Sequence, residues 1–176
     1  MSEEFKLDPV GEDRGCILGG KGEEYRYDLW RVWGSGRRVL FIGLNPSIAD
    51  GRKDDPTVRR CRNFARRWGY DGFHIGNLFA YRATDPGEVE ARLRMGEDVR
   101  GQENEEHLRR LAAACARIIC CWGAGGVMDC AHQWACEVLK DYDLYHVGLC
   151  VRSQQPRHPL YVRACVSPGL WKKRNG

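Results

Sequence analysis

The fold is decided by the stretch RRVLFIGLNP, residues 37–46. It is a short, continuously apolar run that ends in glycine and an Asn-Pro pair. A strand that is buried on both faces, as in the middle of a parallel sheet, has this pattern. We therefore expect a central strand here, with polar groups presented where it ends.

Further strand signals lie on both sides of this run. Segments 71–81 and 116–122 are also continuously apolar, and segment 143–149 has the same character more weakly. Segment 25–34 alternates with period two, which is typical of a strand. The sequence thus predicts five strands, of which the middle ones are buried.

Helical segments separate these strands. Asp55 is a good N-cap and Pro56 a good first helical residue. The following apolar residues recur at helical spacing: Val58, Cys61, Ala65 and Trp68. Residues 104–118 and 128–140 predict two further helices, the first of which begins with acidic residues that suit a helix N-terminus.

The alternation of strands and helices predicts an α/β fold, with a central, mainly parallel sheet covered by helices on both faces in three layers, α/β/α. The chain has 176 residues, so we expect a single domain over residues 1–176. Residues 1–22 and 167–176 are expected to be peripheral. In such a sheet, ligands bind beyond the carboxyl ends of the strands.

Composition narrows the class of protein. Hydrophobic residues make up 43% of the chain and charged residues 30%, which is typical of a globular domain and excludes wholesale disorder. No apolar run approaches the ~20 residues of a membrane span. The first residues are acidic and lack the apolar core of a secretory signal. These patterns predict a cytoplasmic protein without a membrane partner or an obligate protein partner.

The nine cysteines are numerous for that compartment, but no two of them have the C-x-x-C spacing of zinc ribbons or thioredoxin-like sites. Most lie in apolar company, as in LAAACARIICCWG. We interpret them as small buried hydrophobic residues, and we expect neither a metal nor another cofactor.

The basic residues point to a polyanionic partner. The 28 basic side chains are 22 arginines and 6 lysines, and arginine binds phosphate with a planar fork. Residues 151–176 carry six basic side chains and no acidic one, and residues 57–70 carry five arginines and no acidic residue. This distribution predicts contact with a polyanion.

Three loops at strand ends carry polar groups. Asn45 follows the first central strand, Asn77 lies at the end of the next apolar run, and His158 stands in the C-terminal segment QPRHPLY. Since the carboxyl ends of parallel strands meet at one edge of the sheet, we expect these three side chains to line one pocket.

The order of these motifs resembles that of the uracil-DNA glycosylase superfamily. The longer motifs GLNPSIAD, DDPTVRRC, WGYDGFHIGNLFAYRATDP and PRHPLY are similar to a bacterial and phage family without an assigned activity, which looks like a divergent branch of that superfamily. This second resemblance covers residues 25 to 163. It implies a uracil-DNA glycosylase-like fold and a DNA partner.

The resemblance implies a role for each matching residue. Asn45 would position the attacking water, although uracil-specific members have an aspartate at this position. The resemblance does not assign a replacement for that carboxylate, and Asp50, a few residues later, is our candidate for it. His158 would donate a hydrogen bond to the leaving base. The predicted substrate-binding residues are Gly43, Ser47, Asn77 and Phe79. The predicted DNA-binding residues are Arg152, Arg157, Leu160, Tyr161 and Arg163, with Leu160 or Tyr161 as the wedge in the duplex.

Three functions remain open from the sequence. The first is a monofunctional DNA glycosylase that excises a modified base and leaves an abasic site. Its biological role would be defence against phage that carry modified DNA. The second is a metal-dependent enzyme acting on free modified nucleotides, in which Asp50, Asp54 and Asp55 hold Mg²⁺. The third is a non-catalytic binder of modified DNA.

Overall fold

The computed structural model describes residues 12–175. Its seven strands are β1 (Asp13–Gly19), β2 (Tyr25–Val32), β3 (Arg38–Gly43), β4 (Gly72–Asn77), β5 (Arg117–Cys120), β6 (Leu144–His146) and β7 (Gly169–Lys172). Its α-helices are α1 (Pro56–Arg67), α2 (Pro86–Arg94), α3 (Asn104–Ala114) and α4 (Ala131–Val138). Short 3-10 segments occupy Ala124–Cys130 and Pro159–Tyr161.

The strands form one sheet in the order β1-β2-β4-β3-β5-β6-β7. The four central strands β4, β3, β5 and β6 are parallel. The outer pairings of β1 with β2, β2 with β4, and β6 with β7 are antiparallel. The expectation of a mainly parallel sheet is therefore correct only for the centre, because the flanking strands return without a helical crossover.

Strand β3 is the core of the sheet, as its apolar run predicts. The four residues from Val39 to Ile42 are almost completely buried. Leu40 and Ile42 pack with residues of α3 and α4, whereas Val39 and Phe41 pack with residues of α1. Helices thus cover both faces of the sheet, which confirms the α/β class.

Helix α1 begins as the sequence predicts. The side chain of Asp55 accepts a hydrogen bond of 2.8 Å from the backbone N–H of Val58, and Pro56 is the first helical residue. Helix α2 was not predicted, although Asp85 and Pro86 repeat the same signal. The predicted helix over 104–118 ends earlier, at Ala114, because the apolar residues that follow enter β5.

The two segments predicted to be peripheral contribute strands to the sheet. Residues 13–19 form β1 along the full length of β2, and residues 169–172 form β7 beside β6. The ring of Trp171 in β7 meets that of Trp122 edge to face at 5.4 Å. Both strands lie at the edges of the sheet, so these segments are peripheral in position although they are part of the sheet, whereas residues 1–11 lie outside the described part of the chain.

The cysteines differ in how far they are buried. Cys61, Cys120 and Cys121 are buried in the core, where burial raises the pKa of each thiol. Cys130 and Cys165 are exposed. The interpretation as buried hydrophobic residues therefore holds for the first three and fails for these two. No helix within residues 12–175 has the length and apolarity needed to cross a membrane.

Replacement of Leu40 by alanine tests the double burial of β3. Leu40 is 0% exposed, so the variant should lose about 2–5 kcal/mol of unfolding free energy in urea titrations. Leu170 in β7 is 53% exposed, and Leu170→Ala should cost less than about 0.5 kcal/mol. Equal costs for the two variants would contradict the assignment of β3 as the central buried strand.

Candidate functional site

A cavity of about 590 Å³ opens beyond the carboxyl ends of β3, β4 and β5. The structure brings seven of the predicted site residues to its wall: Gly43, Asn45, Ser47, Asn77, His158, Leu160 and Tyr161. They come from separate loops of the chain. The expected meeting of Asn45, Asn77 and His158 in one pocket is found.

Asn45 is held with a fixed orientation. Its Nδ2 donates hydrogen bonds to the carbonyl oxygens of Ala83, at 2.8 Å, and Pro46, at 3.0 Å. Both amide protons are therefore used by the backbone, and Oδ1 is left as an acceptor. An amide fixed in this way can accept a hydrogen bond from a water molecule.

Asn77 lies at the end of β4, directly opposite Gly43 in the register of β3 and β4. A β-carbon at position 43 would lie 2.9 Å from Oδ1 of Asn77, so only glycine allows this approach. The Nδ2 group is buried and has no hydrogen-bond partner within residues 12–175. A ligand acceptor at the cavity wall would satisfy it.

The backbone around Asn77 is itself fixed. Buried Asn104, at the start of α3, donates from Nδ2 to the carbonyl oxygens of Asn77 at 3.0 Å and Leu78 at 3.3 Å. Asn104 thus positions the end of β4. Sequence reasoning treated it only as the start of a helix, and no local signal distinguishes it from an ordinary helix-start residue.

His158 has a defined tautomer when neutral. Its Nδ1 accepts a hydrogen bond of 3.3 Å from the backbone N–H of Leu160, so the ring proton is on Nε2. Burial lowers the pKa of His158 below its usual range, and the nearby Asp55 carboxylate only partly opposes this shift. Near neutral pH the ring is therefore a neutral Nε2–H donor at the cavity wall.

The loop that carries His158 is attached to the end of β5. The indole Nε1 of Trp122 donates to Oε1 of Gln155 at 2.9 Å, and the backbone N–H of Gly123 donates to the carbonyl oxygen of Pro156 at 2.8 Å. Gln155 and Pro156 are both buried. These contacts determine where the histidine stands relative to the strand ends.

The carboxylate at the cavity belongs to Asp55 rather than Asp50. Asp50 does not line the cavity, because its Oδ1 accepts hydrogen bonds of 2.7 Å from the backbone N–H groups of both Arg52 and Lys53. These bonds lower the pKa of Asp50 and give it the role of a loop cap. Asp55 lines the cavity and caps α1. The sequence predicted the cap, and it predicted a site role for Asp55 only as a ligand of Mg²⁺.

Phe79 is also placed differently from the prediction. It is 0% exposed, packs in the core with Leu78, and does not line the cavity. The chain beyond β4 turns its side chain away from the strand ends. The prediction of a substrate-binding role for Phe79 is therefore wrong.

The predicted DNA-binding arginines lie outside the cavity wall. Arg152 and Arg163 are exposed, and Arg157 is half-buried directly before His158. None of the three forms an ion pair with a carboxylate of residues 12–175. Their charge is therefore available to a polyanion near the cavity.

The mouth of the cavity carries exposed apolar side chains. Ile48 is 51% exposed, Leu160 is 42% exposed and Tyr161 is 75% exposed. The loop of the last two is tied to α1, since Arg60 donates to the carbonyl oxygens of Pro159 and Val162. Arg60 thus serves an internal contact, although it belongs to the arginine-rich segment 57–70 that indicated a polyanionic partner.

The three carboxylates that the sequence offered as ligands of Mg²⁺ face different partners in the structure. Asp54 pairs with Arg14, Arg31 and Arg62, Asp50 faces backbone amides, and Asp55 faces the cavity. Nowhere in residues 12–175 do three or more His, Cys, Asp or Glu side chains group as metal ligands. The arrangement of these acids therefore does not fit a divalent metal site.

One residue of the wall was missed entirely. Arg26, near the start of β2, lines the cavity although it is only 3% exposed. In the sequence it stands in an alternating strand, where an arginine is expected to face solvent. In the structure β2 is buried on both faces, and Nη1 of Arg26 donates to the carbonyl oxygen of Ala49 at 2.6 Å.

Comparison with known families gives one match. A family model described as "Protein of unknown function (DUF1643)" matches residues 26–160, and the chain belongs to this family. Searches of curated proteins and of solved structures returned no match. The matched range contains Arg26, Asn45, Asp55, Asn77 and His158.

The lowered pKa of His158 predicts an acid-sensitive stability. The unfolded chain takes up a proton near pH 6.5, whereas the partly buried ring of the folded protein does so only at lower pH, so the unfolding free energy should fall as pH drops below about 6.5. His158→Gln should show a smaller fall between pH 7.5 and 5.5 in urea titrations. An identical fall in both proteins would contradict the lowered pKa of His158.

Proposed function

We propose that this protein is a DNA glycosylase, which hydrolyses the N-glycosidic bond of a flipped base and leaves an abasic site. The observation that carries the proposal is the meeting of Asn45, Asp55, Asn77 and His158 in one cavity behind an apolar rim. Each of these groups supplies one requirement of the reaction.

The leaving base departs with negative charge. Neutral His158 can donate from Nε2 to an oxygen of the base as this charge develops, and a fixed donor of this kind stabilises the transition state. The unsatisfied Nδ2 of Asn77 can donate to a second acceptor on the base. Together these donors favour a base with carbonyl oxygens on the bound edge.

The sugar develops positive charge as the bond to the base breaks. Asp55 is the acidic side chain in the described cavity wall, and its carboxylate would stabilise the oxocarbenium-like sugar. Oδ1 of Asn45 would accept a hydrogen bond from the attacking water. The water oxygen bonds to C1′, the glycosidic bond breaks, and the proton released by the water ends on the departing base or in solvent.

The exposed apolar side chains at the mouth of the cavity can stabilise a base in its flipped position. A base that leaves the duplex loses stacking, at a cost of a few kcal/mol. Exposed Leu160 and Tyr161 can fill the space that it leaves, as wedge side chains do in proteins that distort DNA. Because Arg60 holds their loop, the wedge is presented in a fixed position beside the cavity.

Substitutions in the cavity should separate catalysis from folding. His158→Ala should lower the single-turnover excision rate by about 10²–10³, since it removes one donor to the leaving base. Asn45→Ala should also lower the rate while DNA binding is retained. Both effects would be measured on DNAs carrying different natural base modifications, with alkali cleavage to reveal abasic sites.

Asp55 and Asp50 form a matched pair within this experiment. Asparagine is as good an N-cap as aspartate, so Asp55→Asn should keep α1 and lose about tenfold or more in rate. Asp50→Asn should cleave at nearly the wild-type rate. The reverse pattern would contradict the placement of the carboxylate. If the protein hydrolyses free nucleotides but releases no base from DNA, it is a nucleotide enzyme and not a glycosylase.

DNA binding should depend on salt through Arg157. Its substitution by alanine should weaken binding and reduce the slope of log K against log salt by about one, because one phosphate contact is lost. Arg110→Ala removes an exposed charge on α3, a helix that contributes no residue to the cavity wall, and should leave the slope unchanged. An unchanged slope in Arg157→Ala as well would exclude this contact.

A further inference from the structure

Arg26 is a buried cation that the protein leaves incompletely bound. Its Nη1 donates to the carbonyl oxygen of Ala49, whereas Nε has no hydrogen-bond partner within residues 12–175. No carboxylate of these residues forms an ion pair with it, unlike Arg31 on the same strand, which pairs with Asp54. Arg26 is thus buried at a ligand cavity with donor capacity to spare.

Such an arrangement is costly without a further partner. A buried charge is tolerated when it is paired and fully hydrogen-bonded. Burial lowers the pKa of Arg26 to about 10, against an opposing effect of Asp55. The guanidinium nevertheless stays protonated at neutral pH, so the cavity wall carries a positive charge there.

The surroundings of Arg26 offer space for a ligand group. Cavities that hold small ligands span about 300–1,000 Å³, and this one, at about 590 Å³, has room for a base together with a substituent. Much of the inner wall is apolar or neutral, with Phe41, Cys61, Ile75 and Cys121 as examples. Arg26 is therefore the cation of the described wall at neutral pH.

We propose that the cavity takes a ligand with an anionic oxygen group, and that Arg26 binds this group. The group is either a carboxylate on the base or the phosphate of the nucleotide, since a guanidinium fork fits both. The inference deepens the proposed function, on which it rests for the nature of the ligand as a base. It assigns to Arg26 the selection of charged over neutral substrates.

Three free ligands test this assignment by calorimetry at pH 7.5. Thymine is neutral, uracil-5-carboxylate places the anion on the base, and thymidine 5′-monophosphate places it on the phosphate. In the wild-type protein at least one anionic ligand should bind about tenfold or more tightly than thymine. Arg26→Gln should abolish the difference, and Arg26→Lys should retain part of it.

Arg82→Gln is the matched control. Arg82 directly follows Tyr81, which forms a bridge with Tyr25 next to Arg26. It lines a separate pocket and is not part of the cavity wall. This variant should keep the wild-type preference, and melting temperatures should accompany every measurement. Because the comparison of the three ligands in the wild-type protein needs no variant, it stands even if Arg26→Gln does not fold.

The outcomes distinguish the two sources of the anion. Tight binding of uracil-5-carboxylate alone assigns Arg26 to a charged base, and tight binding of thymidine 5′-monophosphate alone assigns it to the phosphate. The proposal is wrong if neither anion binds more tightly than thymine, or if a folded Arg26→Gln keeps the difference. Binding is measured without cleavage, so a failure of glycosylase activity is a separate result.

Discussion

The parallel pairing of β3 with β4 is the constraint on which the candidate site depends. It sets Gly43 opposite Asn77 at the last position of the ladder, and the missing β-carbon of Gly43 leaves room for Oδ1 of Asn77. The pairing continues beyond the strands, where the backbone N–H groups of Leu78 and Phe79 donate to the carbonyl oxygens of Gly43 and Leu44. The two loops therefore leave the sheet side by side, and the polar groups of each meet in one cavity.

The central strands could be predicted from the sequence because they follow from local patterns, whereas their register is a contact between distant segments. Continuous apolar runs indicate strands buried on both faces, and Asp55-Pro56 indicates the start of α1. The choice of carboxylate could not be predicted in the same way. Asp50 and Asp55 lie in one loop, and only the turn that directs Asp50 toward the amides of residues 52 and 53 decides which of them reaches the cavity.

The other errors also arise from side-chain direction. Phe79 lies two residues beyond β4, where alternation no longer determines which way a side chain points, and it turns into the core. Arg26 stands in an alternating strand that the fold buries on both faces, and its guanidinium binds Ala49, a residue 23 positions away. Both outcomes depend on contacts between distant segments, which a single sequence does not contain.

Helix α1 joins the chemistry of the cavity to its mouth. Asp55 at its start places a carboxylate at the wall near Arg26 and His158, and Arg60, little more than one turn later, holds the loop of Leu160 and Tyr161. The arginine-rich segment that predicted a phosphate-binding surface is thus partly an internal scaffold. Its basic composition partly reflects the anchoring of the rim at Arg60 and the pairing of Arg62 with Asp54. Exposed Arg59 and Arg67 of the same segment form no ion pair within residues 12–175, so their charge is available to a polyanion together with that of the C-terminal arginines.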